Sequence, residues 1–421
     1  VDSEFILGSV RKAGYKIVDD IPEADIAIIN TCSFIKDAKE ESIDTILNVI
    51  QLKKDHTIKK IIVAGCLPER YLKELKRDLP EVDGFFGTGE VEKIAKELPG
   101  ILKGERRLAI KTKAGYLTEG EKKRSFITPK HFAYLKIAEG CSNCCNYCVI
   151  PNLRGPYQSR KYEDIIKEAQ GLVKNGVVEI NVIAQDTTRY GLDLYGKLRL
   201  AELLKDLSNI KGTKWIRLLY THPAHFTDEL IQAIKKSKAV CKYIDLPIQH
   251  ISLKILKKMN RKVTKTDIIS LIKKIRKEIP GIAIRSSLIV GFPGETEADF
   301  DELYQFVKKI KFERLGIFTY SREEGTRAYK YKNQLDESAK ETRREKLLIL
   351  QQEISRKLNQ ELLDQTLEVL IDEDGVGRTR FDAPEVDGLV YVKSKKKFSP
   401  GDIVKAKIID TMEYDLVGES K

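Results

Sequence analysis

Six apolar runs of four to eight residues, each followed by an amphipathic stretch, organise the middle of this chain at 134–138, 179–184, 215–220, 243–246, 283–290 and 315–320. Largely apolar strands, alternating with helices, belong to a parallel sheet covered by its own crossovers. Their spacing of about 30–45 residues is that of repeated βα units in a barrel-like sheet. Six units are two short of a complete eight-stranded barrel. The expectation is therefore α/β, with a central partial (β/α)6 barrel whose mouth is open to a large substrate.

Polar residues gather where these runs end. Glu139-Gly140-Cys141 follows the first, Gln185-Asp186 the second, Thr221-His222-Pro223 the third and Pro247-Ile248-Gln249-His250 the fourth. Gly291-Phe292-Pro293-Gly294-Glu295-Thr296 follows the fifth, and Ser321-Arg322-Glu323-Glu324-Gly325 the sixth. The C-terminal rim is the active face of barrel enzymes. One polar strand end means little, but six together predict a single site.

The flanks differ from this core. In residues 1–100, apolar runs ending at Thr31-Cys32 and Gly65-Cys66 are each followed by a helical stretch, from about residue 37 to 52 and from about residue 69. That pattern predicts a doubly wound α/β domain, with Cys32 and Cys66 just past strand C-termini, where open α/β sheets place ligands. Residues 101–126 turn polar and lysine-rich (Lys103-Gly104-Glu105-Arg106-Arg107, Glu121-Lys122-Lys123-Arg124) and read as a linker. The core spans 127–357, and its end reads as a long helix over 338–362. Short alternating stretches at 367–371, 388–392 and 403–409, with turns at Asp374-Gly375 and Pro400-Gly401, predict a small all-β barrel over 360–421.

Charge divides the same way. The net charge is +12, yet residues 360–421 carry 9 basic and 14 acidic residues, a net of −5, which leaves +17 on residues 1–359. A basic body suits an anionic partner, although lysine-rich surfaces also simply keep proteins soluble. An acidic terminal barrel argues against a dedicated phosphate binder. No run of about 18 apolar residues occurs, so no membrane span is expected, and nothing at the start reads as a signal peptide. Val1-Asp2-Ser3-Glu4 lacks an initiator Met and begins as if mid-element, the pattern expected of a truncated N-terminus.

Four of the seven cysteines lie within eight residues, Cys141-Ser-Asn-Cys144-Cys145-Asn-Tyr-Cys148. Clustering of this kind is not a disulfide framework, and it favours a reducing cytoplasm. Two C-x-x-C pairs would make a compact zinc site. C-x-x-x-C-x-x-C instead offers Cys141, Cys145 and Cys148, with Cys144 left over. Three thiolates on a four-iron cluster leave one iron open, where an electron-transfer ferredoxin closes all four corners. The two readings imply different metals.

The loop, with Tyr147 before its last cysteine, resembles the cluster loop of radical S-adenosylmethionine enzymes. Ile150-Pro151 and Arg154-Gly155 are similar to the methylthiotransferase branch. Pro247-Ile248-Gln249-His250-Ile251-Ser252, Tyr320-Ser321-Arg322-Glu323-Glu324-Gly325-Thr326 and Ala383-Pro384-Glu385-Val386-Asp387-Gly388 resemble the RimO family. The resemblance covers essentially the whole chain and makes the terminal barrel TRAM-like. It implies methylthiolation of an aspartate β-carbon in ribosomal protein S-twelve, using two 4Fe-4S clusters, S-adenosylmethionine and a one-electron reductant. Cys141, Cys145 and Cys148 would hold the radical cluster, whose open iron takes the amino and carboxylate groups of S-adenosylmethionine. A radical is what an unactivated carbon requires, since no general base removes such a proton at a useful rate. Sulfur would come from an auxiliary cluster and a methyl group from another S-adenosylmethionine. Cys32 and Cys66 are two of the three auxiliary-cluster cysteines the family supplies. The third is expected upstream of Val1, and without it the auxiliary cluster should bind poorly. Cys144 stands where the family has a basic or polar residue, and reads as a surplus thiol or a recruiter of adventitious zinc.

Tyr147, Gln185, Gln249, Arg285, Ser287 and Gly291, with Asp186, are candidates to meet the cofactor or substrate; each also suits a structural hydrogen-bonding or turn role. Gly291 would allow close backbone approach to adenine or form a tight turn. His222, His225 and His250 suit ligand, proton-carrying or structural roles. Cys241 reads as a core residue, and Lys395-Lys396-Lys397 as a solvated hairpin tip. Two other functions remain open: methylthiolation of a modified adenosine in transfer RNA, which the acidic barrel disfavours, and a non-catalytic zinc or iron–sulfur module.

Overall fold

The computed structural model describes residues 1–110, 124–127 and 129–420. These form two compact units. The first comprises Val1–Ile127, Glu139–Arg160 and Ser321–Tyr329, and the second Thr128–Ala138, Lys161–Tyr320 and Lys330–Lys421.

In the first unit, strands β1 (Ile26–Thr31), β2 (Lys60–Gly65), β3 (Gly84–Phe86) and β4 (Arg107–Ala109) pair in parallel and in chain order. Side chains of a strand alternate between faces, and both faces are covered. Ile62, Ala64 and Phe86 pack with helices α1 (Asp2–Lys12) and α4 (Ile94–Leu102). Ile61, Val63 and Phe85 pack with α2 (Lys36–Lys54) and α3 (Cys66–Asp78). The first unit thus has the layering expected of its sequence. Strand β4 and the end of α4 fall inside the stretch 101–126 read as a linker. β4 is three residues long and flanked by charge, too short to register as a periodic pattern. Two arginines of that basic stretch serve the structure: Arg106 donates to the carbonyls of Val82 and Leu79, both at 3.1 Å, and Arg107 pairs with Glu97 at 3.1 Å. Residues 111–123 of the linker reading, with 128 and 421, lie outside the described residues.

The second unit contains all six expected core strands: β5 (Phe132–Lys136), β6 (Glu179–Ile183), β7 (Trp215–Leu218), β8 (Val240–Asp245), β9 (Ala283–Val290) and β10 (Arg314–Thr319). They form one parallel sheet whose spatial order follows the chain, as in a barrel that lacks two units. The long helix Glu337–Gln360 is capped by Asp336, whose carboxylate accepts from the Ala339 N–H at 2.7 Å. Five strands then close into a small barrel: β11 (Thr366–Glu373), β12 (Val376–Thr379), β13 (Val390–Lys393), β14 (Ile403–Thr411) and β15 (Leu416–Glu419). Val369, Ile371, Val390, Ala406 and Ile408 fill it. Leu370 and Ala383 of this barrel share a core with Trp215, Cys241 and Tyr243 of the larger sheet, which confirms Cys241 as a core residue.

A buried ion network reinforces that contact. Glu179 receives Arg217 at 2.8 Å and Arg378 of β12 at 2.8 Å. Arg378 is also held by Asp372, which in turn pairs with His131 at 2.7 Å.

Candidate functional site

The register of β1 and β2 ends at the pair Thr31 and Gly65, so the next residues, Cys32 and Cys66, leave the sheet side by side. Hydroxyls pin both exits. Thr31 Oγ1 donates to the Ala64 carbonyl at 2.7 Å, and Ser33 Oγ donates to the Cys66 carbonyl at 3.0 Å. The Cys32 N–H donates to Ser42 Oγ at 3.2 Å. Cys32 is exposed and Cys66 buried. Burial pushes the Cys66 thiol up, the Arg154 guanidinium pulls it down, and nearby Cys32 adds to the rise. Gly65 has φ +101°, and a Cβ there would stand 2.6 Å from the Thr31 carbonyl oxygen. Only glycine lets the two exits approach this closely.

The four-cysteine loop belongs to the same unit. Gly140, at φ +74°, opens it; a Cβ there would stand 2.3 Å from the Pro156 carbonyl oxygen. That approach lets the Cys141 N–H donate to the Gly155 carbonyl at 3.2 Å and fold the loop back on itself. The Cys148 N–H donates to the Cys145 carbonyl at 3.1 Å. Cys141 is buried, Cys145, Tyr147 and Cys148 are half-buried, and Cys144 is exposed in the left-handed region at φ +52°. The donors are soft thiols in a backbone cradle, a set suited to an iron–sulfur cluster and also to zinc. Among the described residues, no group of three or more Cys, His, Asp or Glu is already drawn together as metal ligands.

Helix α5 (Ile150–Arg154), with Pro151 in its first turn, continues from the loop. Val149 and Leu153 pack against Cys66 and Phe34, and Thr88 Oγ1 donates to the Leu153 carbonyl at 3.0 Å. Arg154 Nη1 reaches Asp2 and Glu139, each at 3.1 Å, while Nη2 lies 3.7 Å from Cys66 Sγ. The structure therefore brings Cys66 against the end of the cysteine loop. The 321–329 segment joins them. Buried Glu323 receives Lys39 and Arg70 at 2.8 Å each, which holds its carboxyl below the usual range although burial alone would raise it. The sequence placed Glu139 and Glu323 at strand ends and Arg154 in a motif, but gave none of them a partner. Their motifs are local signals, but most of their partners lie far away in the chain.

In the second unit, Arg285 and Ser287 lie within β9 and the other candidates beyond strand ends, many of them in structural contacts. Buried Asp186 caps a short turn by accepting the Thr188 N–H at 3.1 Å, and bonds His225 Nδ1 at 2.9 Å. His222 stacks on His225 with centroids 4.9 Å apart. Its Nδ1 accepts the Ala224 N–H at 3.1 Å. Burial, with Arg261 beside it, pushes the His222 imidazole down to about 2, so it is a neutral acceptor. His250 is buried, and its Nδ1 accepts the Ser252 N–H at 3.0 Å. Arg285 pairs with Asp245 at 3.1 Å and with Asp387 at 3.5 Å. Gly291 packs on the Lys340 stem and donates to Glu295 at 2.8 Å. Gln249, at φ +73°, is joined by its backbone to Ser287 (2.9 Å) and Ile289 (2.8 Å). Gln185 stands half-buried just past β6. Lys395, Lys396 and Lys397 are exposed.

Comparison with known proteins covers nearly all of the chain. Residues 135–307 match the radical SAM superfamily, 1–87 an uncharacterized protein family (UPF0004) and 365–420 the TRAM domain. A protein of Clostridioides difficile named ribosomal protein uS12 methylthiotransferase RimO is 51% identical over 427 residues, spanning 100% of this chain and 95% of that protein. Its namesake from a Thermoanaerobacter species is 52% identical over 423 residues, spanning 100% and 96%. Among solved structures, the radical S-adenosylmethionine methyltransferase TsrM from Kitasatospora setae superposes with a TM-score of 0.52 at 12% identity. That match covers 86% of this chain and 70% of TsrM, a likeness of fold alone.

Proposed function

The chain belongs to the RimO family of ribosomal protein uS12 methylthiotransferases, and from that premise we propose that it methylthiolates the β-carbon of an aspartate in uS12. The observation that carries the chemistry is the packing of Cys66, beside Cys32, against the helix that ends the four-cysteine loop.

Cys141, Cys145 and Cys148 would hold one iron–sulfur cluster, and Cys32 and Cys66 would contribute to a second that donates sulfur. Together with S-adenosylmethionine, the first supplies one-electron radical chemistry able to take hydrogen from an unactivated carbon. Gly140 and Gly65 set the approach of these ligands, and Glu323 keeps the 321–329 segment on α2 and α3 through Lys39 and Arg70. In the second unit, Gln185, Gln249 and Ser287 are the residues we assign to S-adenosylmethionine or substrate. Arg285 and Gly291 support them through Asp245 and Glu295. The reaction requires a one-electron reductant, and we place it in the cytoplasm. No described helix is long and apolar enough to cross a membrane.

The net charge of −5 on residues 360–421 suits a lysine-rich protein target better than a phosphate backbone. Incubation with ribosomal subunits and with transfer RNA, followed by mass mapping of both, tests the reading. One methylthio group on a single uS12 aspartate is expected. A modified adenosine beside unchanged uS12 would overturn it.

Replacing Gly65 with alanine separates the Cys32 and Cys66 exits, and is expected to remove the iron bound there, up to about four per chain. The iron held by the 141–148 loop should remain. Iron and sulfide analysis after anaerobic reconstitution checks this, and an unchanged content would place the second cluster elsewhere.

A further inference from the structure

Arg154 is a charged group set against a sulfur. Its guanidinium is permanently protonated and presents donors in a rigid planar fork. Nη1 is engaged by two carboxylates, Asp2 and Glu139, each at 3.1 Å, and Nη2 lies 3.7 Å from Cys66 Sγ, within reach of an N–H···S hydrogen bond. The arginine side chain is 15% exposed, Asp2 13% and Glu139 2%, so bulk water screens these charges little. Two carboxylates on one nitrogen fix the plane of the fork, and the plane fixes where the second nitrogen points.

The anchors also matter by position. Arg154 ends the helix that follows Cys148, and Glu139 lies two residues before Cys141. Both ends of the cysteine loop therefore converge on the residue that touches Cys66. A structural role alone, locking the loop to α1, needs the contacts to Asp2 and Glu139 but not the sulfur contact.

We propose that Arg154 donates a charge-assisted hydrogen bond to the Cys66 sulfur and sets the reduction potential of the cluster that Cys66 helps to hold. This rests on the two-cluster reading of the preceding section. Hydrogen bonds to ligand sulfur and local charge are the levers by which a protein tunes such a cluster. A cation and a donor beside a thiolate stabilise the more negative, reduced state, so Arg154 raises the potential. The same contact makes Arg154 a positioning residue that ties the Cys66 site to the loop.

The test uses the full-length protein with Cys141, Cys145 and Cys148 replaced by alanine, so that only the second cluster is observed, in an electrochemical titration followed by electron paramagnetic resonance. Arg154→Gln, which keeps a donor but loses the charge, is expected to make the cluster about tenfold harder to reduce, ~59 mV for a one-electron couple. Arg154→Lys, which restores the charge without the fork, should recover part of that shift. A purely structural role would lower iron content while leaving the potential of the retained cluster unmoved, and that result would overturn the proposal. Absence of any cluster in the Arg154 parent would overturn the two-cluster reading, and the proposal with it.

Discussion

Replacing Cys145 with alanine is expected to abolish methylthiolation of uS12 and to remove about four irons per chain, whereas Cys144→Ser should retain both. The four thiols are not equivalent. Cys144 is exposed at φ +52°, on the outside of a loop whose Cys141 is buried and whose Cys145 and Cys148 are half-buried. The Cys148 N–H to Cys145 carbonyl bond couples the backbone at these two residues, and Gly140 with Gly155 fixes the direction in which Cys141 enters. A single missing thiolate among three costs a cluster one of its few protein bonds, with no neighbouring donor to replace it except the outward-facing Cys144. A paired zinc site would behave differently, because Cys141/Cys144 and Cys145/Cys148 would then matter equally. Iron, zinc and sulfide analysis of the two variants separates the cases. Equal metal loss in Cys144→Ser and Cys145→Ala, with zinc in the wild type, would sink the cluster assignment and the radical chemistry built on it.

Much of this was legible because the signals are local. The six core strands are predominantly apolar runs, and observed strand β9 coincides with the expected 283–290. The cysteine loop declares itself by spacing. What escaped the sequence is what depends on partners far along the chain. Strand β12 reads Val376-Gly-Arg-Thr and carries no apolar alternation, because its buried positions include Arg378, whose carboxylate partners are Glu179 and Asp372. An arginine among apolar residues looks like a surface residue until its partner, 199 positions earlier, is known. Arg285 reads in the sequence as a candidate to meet cofactor or substrate, and its pairing with Asp387 of the terminal barrel had no sequence signature. Arg154 likewise meets a sulfur 88 residues away. Periodicity reports which face a residue occupies, not which charge waits there.

The same buried charges make the second unit vulnerable, and Glu179→Gln is expected to destabilise it by about 3–5 kcal/mol, the cost of breaking a buried ion pair from one side. Glu179 and Arg217 are both fully buried, and Arg378 is 2% exposed. Arg378 would keep Asp372 at 2.7 Å. Arg217 would keep carbonyl contacts, to Arg380 at 2.9 Å and Thr379 at 3.4 Å, and the faces of the Tyr243 and Trp215 rings, but its charge would stand in the interior without a carboxylate partner. Urea unfolding at neutral pH measures the difference, and a loss below about 1 kcal/mol, the range of an exposed pair, would mean that water reaches the network. Acid provides an independent check. Burial alone would raise the Glu179 carboxyl, but Arg378 and Arg217 outweigh it and hold the group below its ordinary value. A carboxyl lowered in the folded state contributes stability that is present above its unfolded value, about 4.3 for glutamate, and is lost as pH falls through the folded value. Wild-type protein should therefore lose stability steeply below about pH 4.3. Glu179→Gln should lose less over the same interval, having forfeited that contribution already at neutral pH. Converging stabilities at low pH would identify the lost energy as this carboxylate's charge, and parallel curves would assign it to packing instead.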